Sequence, residues 1–393
     1  MGQMKHIARR HGWIGALATL ALVALPAHGG PPSSGSGATT VGREELRLDF
    51  GDFTSRAELT YPAGAAGKSP AVILIPGGSP VDMNGDTLSP YDGPFFSHDY
   101  RTIADDLPRW GFAALRYNKH YVTSLRQVDY GAYFAKITLQ RLLADAEQAV
   151  KAAKADPHVD PRRIYVLGWS EGSTVAAALA ARHPELAGLI LTGTVALSWR
   201  ATFLYQVEGV GLPYLRSVAP DGRVTQATIA RIEGGAAGFG AKTILNWIGI
   251  PGKAPNTYTL NRALDRNHDG AIEIDTELAP LVPALVDYVL HSKGEAGRIY
   301  GPGHALPTVA QQASVLKMPV LLLQGTNDAS APPAGVRTLD AALGAAGNTD
   351  HTLKLYAGLG HSLGPARDTA DDLMRPISRQ PLDDLAQWLS AHR

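Results

Sequence analysis

Ile164-Tyr165-Val166-Leu167-Gly168-Trp169-Ser170-Glu171-Gly172-Ser173-Thr174-Val175-Ala176-Ala177-Ala178-Leu179 decides the fold of this chain. The four leading apolar residues predict a strand, and the Ala-rich run after Gly172 predicts a helix. Between them, Gly168-Trp169-Ser170-Glu171-Gly172 has the pattern of a nucleophile elbow, a sharp strand-to-helix turn. Such a turn strains the backbone of its central residue, so the flanking positions must carry little or no side chain. It lifts the Ser170 hydroxyl clear of the sheet edge. The helix start behind it offers free N–H groups and the positive end of a dipole, both suited to a developing oxyanion.

Outward from this turn, apolar strands alternate with helical patterns. Pro70–Pro76, Phe112–Tyr117, Arg163–Leu167, Gly188–Thr192, Met318–Gln324 and Thr352–Tyr356 predict strands. Asp99–Trp110, Phe134–Ala155, Ala334–Ala346 and Leu382–Ala391 predict helices, the second with Leu139, Leu142, Leu143, Ala146 and Val150 on one stripe. Before them, Glu44–Tyr61 alternates apolar and polar residues on either side of Gly51-Asp52, which predicts an edge hairpin. Strand–helix alternation of this kind implies an α/β fold, a mostly parallel sheet with helices on both faces. The alternation stops between Ser198 and Pro307. That block is expected to be a largely helical cap insertion over the carboxyl ends of the strands, where such sheets bind ligands. The expected organisation is a signal peptide (1–29), a Pro/Gly/Ser-rich linker (30–43), a first core segment (44–197), the insertion (198–307) and a second core segment (308–393).

A serine nucleophile needs a base to take its proton, and the base needs an orienting carboxylate. After an elbow of this type the chain order is acid, then histidine. Asp328 follows the Met318–Gln324 strand through Gly325-Thr326-Asn327. His361 follows the Thr352–Tyr356 strand through Ala357-Gly358-Leu359-Gly360. Three positions in the required order, each after a strand, are far more specific than any one of them. The oxyanion needs two N–H donors. The backbone N–H of Glu171 is one candidate. Gly78, in the nearly side-chain-free loop Gly77-Gly78-Ser79-Pro80, is the other.

With these motifs the chain resembles the serine α/β-hydrolase superfamily over roughly residues 44–393, nearest to bacterial esterases and to dienelactone-hydrolase-like or serine-aminopeptidase-like members. Where those proteins carry His-Gly-Ser-Gly-Pro, this chain has Pro76-Gly77-Gly78-Ser79-Pro80, and their Tyr-Asp-Lys-Arg-Gly appears as Tyr117-Asn118-Lys119-His120-Tyr121. Pro76 thus replaces a histidine, and His120 replaces an arginine. The resemblance implies an α/β-hydrolase fold and hydrolysis of a small-molecule carboxylic ester, with thioester, lactone or amide as related bonds. A peptidase or aminopeptidase of the same superfamily is the alternative enzyme. It would need acids in the insertion to hold a substrate ammonium, and Glu208, Glu233, Glu273 and Glu277 are available. A non-catalytic binding protein would be expected to have lost part of the Ser-His-Asp set.

Composition bounds the remaining classes. Lys+Arg and Asp+Glu are both 36, so no basic field exists for nucleic acid. With no cysteine, there is no disulfide, no cysteine nucleophile, no Cys-ligated metal and no lipobox anchor. Lys5, Arg9 and Arg10 precede the apolar run Trp13–Leu25, and Ala27-His28-Gly29 has small residues at cleavage spacing, which together predict export. That run is shorter than the ~20 residues a membrane span needs. The mature chain would carry 33 basic against 36 acidic groups. The expected chemistry requires no cofactor. One further run, Asp265-Arg266-Asn267-His268-Asp269-Gly270-Ala271-Ile272-Glu273, resembles the start of an EF-hand loop. Asp265, Asn267, Asp269 and Glu273 stand at ligand positions 1, 3, 5 and 9, and Gly270 at 6, so a structural Ca²⁺ is a possible ligand. The bidentate Glu expected at position 12 is replaced by Thr276.

Overall fold

The structure, a computed structural model, describes residues 40–87, 97–253 and 257–393. The expected signal peptide and most of the expected linker lie outside the described residues. Residues 40–43, expected as linker, are instead the start of the first strand, β1 (Thr40–Asp49). Composition misled there because β1 is an edge strand held by backbone pairing with β2 (Thr54–Ala63), Thr40 lying opposite Ala63 and Asp49 opposite Thr54. β1 therefore needs few buried side chains of its own.

The chain then builds β3 (Ser69–Ile75), helix α1 (Asp99–Asp106), β4 (Ala113–Tyr117), α2 (Leu139–Ala155), β5 (Val159–Trp169), α3 (Glu171–Arg182) and β6 (Gly188–Thr192). After the insertion come β7 (Val320–Gly325), α4 (Pro333–Ala345), β8 (His351–Tyr356) and α5 (Arg379–Ala391). The eight strands form one sheet in the order β1-β2-β4-β3-β5-β6-β7-β8. From β4 onward every neighbour is parallel, while β1 and β2 run antiparallel. β3, β6 and β7 are buried at every position, which is why they read as unbroken apolar runs.

Helices cover both faces. On one face α2, α3 and α4 supply Leu142, Leu143, Val175, Leu179 and Leu339. On the other, α1 and α5 supply Ile103, Leu385, Trp388 and Leu389. The expected long helix Phe134–Ala155 is in fact two, Tyr130–Lys136 and α2. Ile137 is extended, and the Thr138 side chain accepts from Arg141 N, so an N-cap restarts the helix where periodicity alone suggested continuity. His120, the residue that replaces an arginine, is fully buried between Asp145 (2.9 Å) and Asp52 (3.1 Å) and stacks on Phe50 and Phe53. It ties the β1–β2 turn to α2.

Between β6 and β7 the expected 198–307 block is mostly helical, with segments such as Trp199–Leu204, Leu212–Val218, Gln226–Gly234, Val282–Leu290 and Glu295–Tyr300. It gathers its own apolar cluster, including Phe203, Leu215, Ile232, Trp247, Ile272 and Val286. Among the described residues, no helix is long and apolar enough to cross a membrane.

Candidate active site

Ser170 closes β5 and opens α3 with φ +56° and ψ −123°, a conformation an L-residue adopts only under constraint. The two glycines of the motif make the constraint possible. A Cβ on Gly168 would lie 2.4 Å from Gly172 O and 2.6 Å from Ala176 Cβ. A Cβ on Gly172 would lie 2.5 Å from Ile75 O. Only bare backbone lets α3 start this close to β3 and β5. The Ser170 N–H is spent on Thr192 O (3.0 Å), at the end of β6.

Asp328 and His361 are brought together. Asp328 is fully buried, and its Oδ2 accepts from His361 Nδ1 at 2.8 Å and from Gln324 Nε2 at 2.7 Å. Its Oδ1 accepts the N–H groups of Ser330 and Ala331, both at 2.7 Å. Every lone pair of this carboxylate that matters is thus fixed from both sides. Burial of the His361 imidazole favours its neutral form, but the charge and hydrogen bond of Asp328, with Asp372 beyond, outweigh it and hold the pKa above the ordinary imidazole value. The imidazole lies against Gly193, where a Cβ would sit 2.8 Å from His361 Cε1, and Gly193 follows Thr192. Trp169 Nε1 donates to His361 O (3.1 Å). The ring therefore stands beside the elbow, although no hydrogen bond joins His361 to the Ser170 hydroxyl among the described residues. Contacts of this kind commonly close only when substrate is bound.

On the other side of the serine, Gly77 N–H is engaged by the Tyr100 hydroxyl at 2.8 Å. The N–H groups of Gly78 and Glu171 have no hydrogen-bond acceptor among the described residues. A Cβ on Gly78 would come within 3.9 Å of Glu171 Cβ, so the two donors belong to neighbouring walls. Lys119 joins those walls. It is almost fully buried, and its Nζ donates to Gly77 O (2.8 Å), Ser79 O (3.2 Å) and Glu171 Oε1 (2.6 Å). The second oxygen of Glu171 accepts from the hydroxyl of Tyr300, an insertion residue, at 2.5 Å. The insertion reaches the acid loop as well, through Tyr205 Oη to Asp328 O (2.6 Å) and Gln206 Nε2 to Ser330 O (2.8 Å).

A family model described as the alpha/beta hydrolase fold matches residues 143–364, more than half of the chain. The chain belongs to the α/β-hydrolase fold family. Among solved structures it is similar to proline iminopeptidase of Mycobacterium smegmatis, at 16% identity over 89% of this chain and 98% of that one, with a TM-score of 0.50. Est1E of Butyrivibrio proteoclasticus is 14% identical over 88% and 98% of the two chains, TM-score 0.45. Pyrococcus horikoshii acylaminoacyl peptidase is 12% identical over 89% of this chain but 41% of that one, TM-score 0.47. A search of curated proteins finds no match. At such identities these likenesses bear on the fold alone.

Elsewhere in this α/β hydrolase, the loop at 265–273 does not gather its acids as expected. Asp265 accepts from Asp269 N (3.1 Å) and Gly270 N (3.0 Å). Asp269 and Glu273 both pair with Arg223, at 2.9 and 2.5 Å. The carboxylate turned into the loop is Glu277, which accepts from Arg266 N, Asn267 N and Glu273 N. A five-residue π-helical turn, Ile274–Leu278, carries it there one position later than the motif prescribes. Among the described residues, one group of three side chains offers ligand atoms within 4.8 Å of one another: Glu44, Asp156 and His158, at the opposite end of β5 from Ser170.

Lys119, Tyr300, Gln324 and Asp372 were not identified as site residues from sequence. Lys119 stood inside a recognised run, but its partners are 40 to 52 residues away. Nothing local in the sequence marks the other three.

Proposed function

We propose that this α/β hydrolase is an exported serine hydrolase that cleaves a carboxylic ester through Ser170, His361 and Asp328. The reading is carried by one observation: a serine held at positive φ on a strand-to-helix turn, beside an imidazole whose far nitrogen is bonded to a buried carboxylate. In this reading Ser170 Oγ attacks the acyl carbonyl and passes its proton to His361 Nε2. The N–H groups of Gly78 and Glu171 hold the oxyanion. His361 returns the proton to the leaving alcohol, and water cleaves the acyl-enzyme by the same route. The insertion acts as a cap, with Tyr300 and Tyr205 anchoring it to the elbow and to the acid loop.

The peptidase alternative fares less well. Of the four acids available to hold an ammonium, three are engaged: Glu233 accepts from Tyr258 N, Glu273 pairs with Arg223 and Glu277 caps its own loop, while Glu208 is exposed. Glu295 is an acid of the insertion close enough to Lys119 and Glu171 to feel their charges. Burial pushes its carboxyl up to about 7, with the charges of Lys119, Glu171 and Arg298 acting on it more weakly.

A fluorophosphonate probe is expected to label the wild-type protein and leave Ser170→Ala unlabelled. Persistent labelling of the variant would refute the nucleophile. On matched p-nitrophenyl esters and aminoacyl anilides, the ester is expected to turn over faster. Anilide preference, lost in Glu295→Gln, would favour the peptidase.

Export rests on the basic and apolar pattern of residues 1–29. N-terminal sequencing of the native product should begin near Gly29. A start at Met1 or Gly2 would overturn this part. A structural Ca²⁺ in the 265–277 loop is the last element. It would be held by Asp265, Asn267 and Asp269 with the inward-facing Glu277, and Asp269 and Glu273 become available to it only when Arg223 is displaced. Millimolar CaCl₂ is expected to raise Tm more in Arg223→Ala than in wild type. No rise in either protein would remove Ca²⁺ from the account.

A further inference from the structure

Asp372 lies behind the His361–Asp328 pair and is a second buried carboxylate at this site, 3% exposed. One of its oxygens, Oδ2, accepts two backbone donors from different loops: His361 N at 2.9 Å and Ala329 N at 3.0 Å. Ala329 follows Asp328 directly. A single atom therefore pins the loop after β8 to the loop after β7, at the two residues that must meet. The approach is close by construction. A Cβ on Gly360 would lie 2.2 Å from Asp372 Oδ1, and one on Gly325 2.3 Å from Leu359 O. The stretch is held in turn by the insertion, where Gly238 N donates to Ala370 O at 2.7 Å. Asp371, its neighbour, is committed elsewhere, to Arg367 and Arg375.

We propose that Asp372 is a positioning residue that sets the register of His361 against Asp328 by clamping both loops through one carboxylate oxygen. This rests on the reading of Ser170, His361 and Asp328 as the reacting group. Asp372 touches no reacting atom. It acts through the backbone, and its charge also favours the imidazolium that forms when Ser170 gives up its proton. The other titratable groups facing His361 are Asp328 from the β7 loop and, across Asp328, Tyr205 from the insertion. Burial and the charge of Asp328 push the Asp372 carboxyl up, while His361 and the two N–H groups pull it down.

Asp372→Ala removes the clamp and the charge. Asp372→Asn keeps an oxygen able to accept both N–H groups and removes only the charge. The Ala variant is expected to lower kcat about 10²-fold with KM nearly unchanged, the effect of a misplaced base. The Asn variant is expected to recover most of that kcat, with the acid limb of its pH–rate profile moved to lower pH. An Ala variant with wild-type kcat, or an Asn variant as slow as Ala with an unmoved limb, would overturn the proposal. Should the Ala variant not fold, Asp372→Ser, whose shorter side chain cannot hold both N–H groups, takes its place, and wild-type kcat in it would overturn the proposal. Fluorophosphonate labelling separates the two levels. Failure to label wild-type Ser170 sinks the triad itself, whereas normal labelling with inert Asp372 variants sinks only the clamp.

Discussion

Asp328→Asn is expected to lower kcat by roughly 10³- to 10⁴-fold with KM nearly unchanged. The reason lies in the four donors around this carboxylate. Ser330 N and Ala331 N both donate to Oδ1, so an amide must present its oxygen there. Its NH₂ then faces Gln324 Nε2 and His361 Nδ1, two groups that donated before. The imidazole can accept from that NH₂ only by moving its proton to Nε2. It would then offer Ser170 an N–H rather than a lone pair. The variant should also expose the electrostatics. In wild type the rate should rise with pH through a value above the ordinary imidazole pKa, because the base must be neutral and Asp328 holds it charged. Residual activity in Asp328→Asn should have its limb at lower pH, since the charge that raised it is gone. Hydrolysis of a p-nitrophenyl ester from pH 5 to 9 measures both. A variant that keeps a tenth or more of wild-type activity, with the limb unmoved, would show that Asp328 does not orient the base.

The parts of this site that were legible in sequence are those whose requirement is local. Gly168 and Gly172 had to be small because a strand and a helix meet at Ser170, and their missing Cβ atoms would collide with backbone. Asp328 and His361 could be placed because each follows a strand, and parallel strands deliver their carboxyl ends to one edge. The insertion was legible only as a break in the pattern. Its helices are short, π-helical turns interrupt them at Tyr205–Gly211 and Ile274–Leu278, and its core is shared among many small pieces. Glu277 shows the consequence: one extra residue in a turn moved the inward-facing acid off the position a fixed-spacing motif inspects. Lys119 and Asp372 were missed for a different reason. Their role is to receive or supply hydrogen bonds to backbone atoms of distant loops, and a backbone atom leaves no mark on residue identity.

Lys119→Met is expected to lower stability by about 3–5 kcal/mol, the usual consequence of leaving one partner of a buried ion pair uncompensated. Lys119 and Glu171 are 1% and 2% exposed at their side chains, so solvent cannot replace the lost charge. The same substitution strips Gly77 O and Ser79 O of their donor, and with them the tether of the oxyanion loop. Displacement of the Gly78 N–H should then cost kcat about 10²-fold, the scale of losing one oxyanion donor. The two effects separate in a double variant. Lys119→Met with Glu171→Gln removes both charges, so much of the stability should return, while the loop remains untethered and kcat stays low. Thermal unfolding and ester hydrolysis on wild type, the two single variants and the double variant complete the cycle. Recovery of kcat together with stability would mean that Lys119 serves the fold alone. A single variant as stable and as active as wild type would mean that the charge of Glu171 is met by groups other than Lys119.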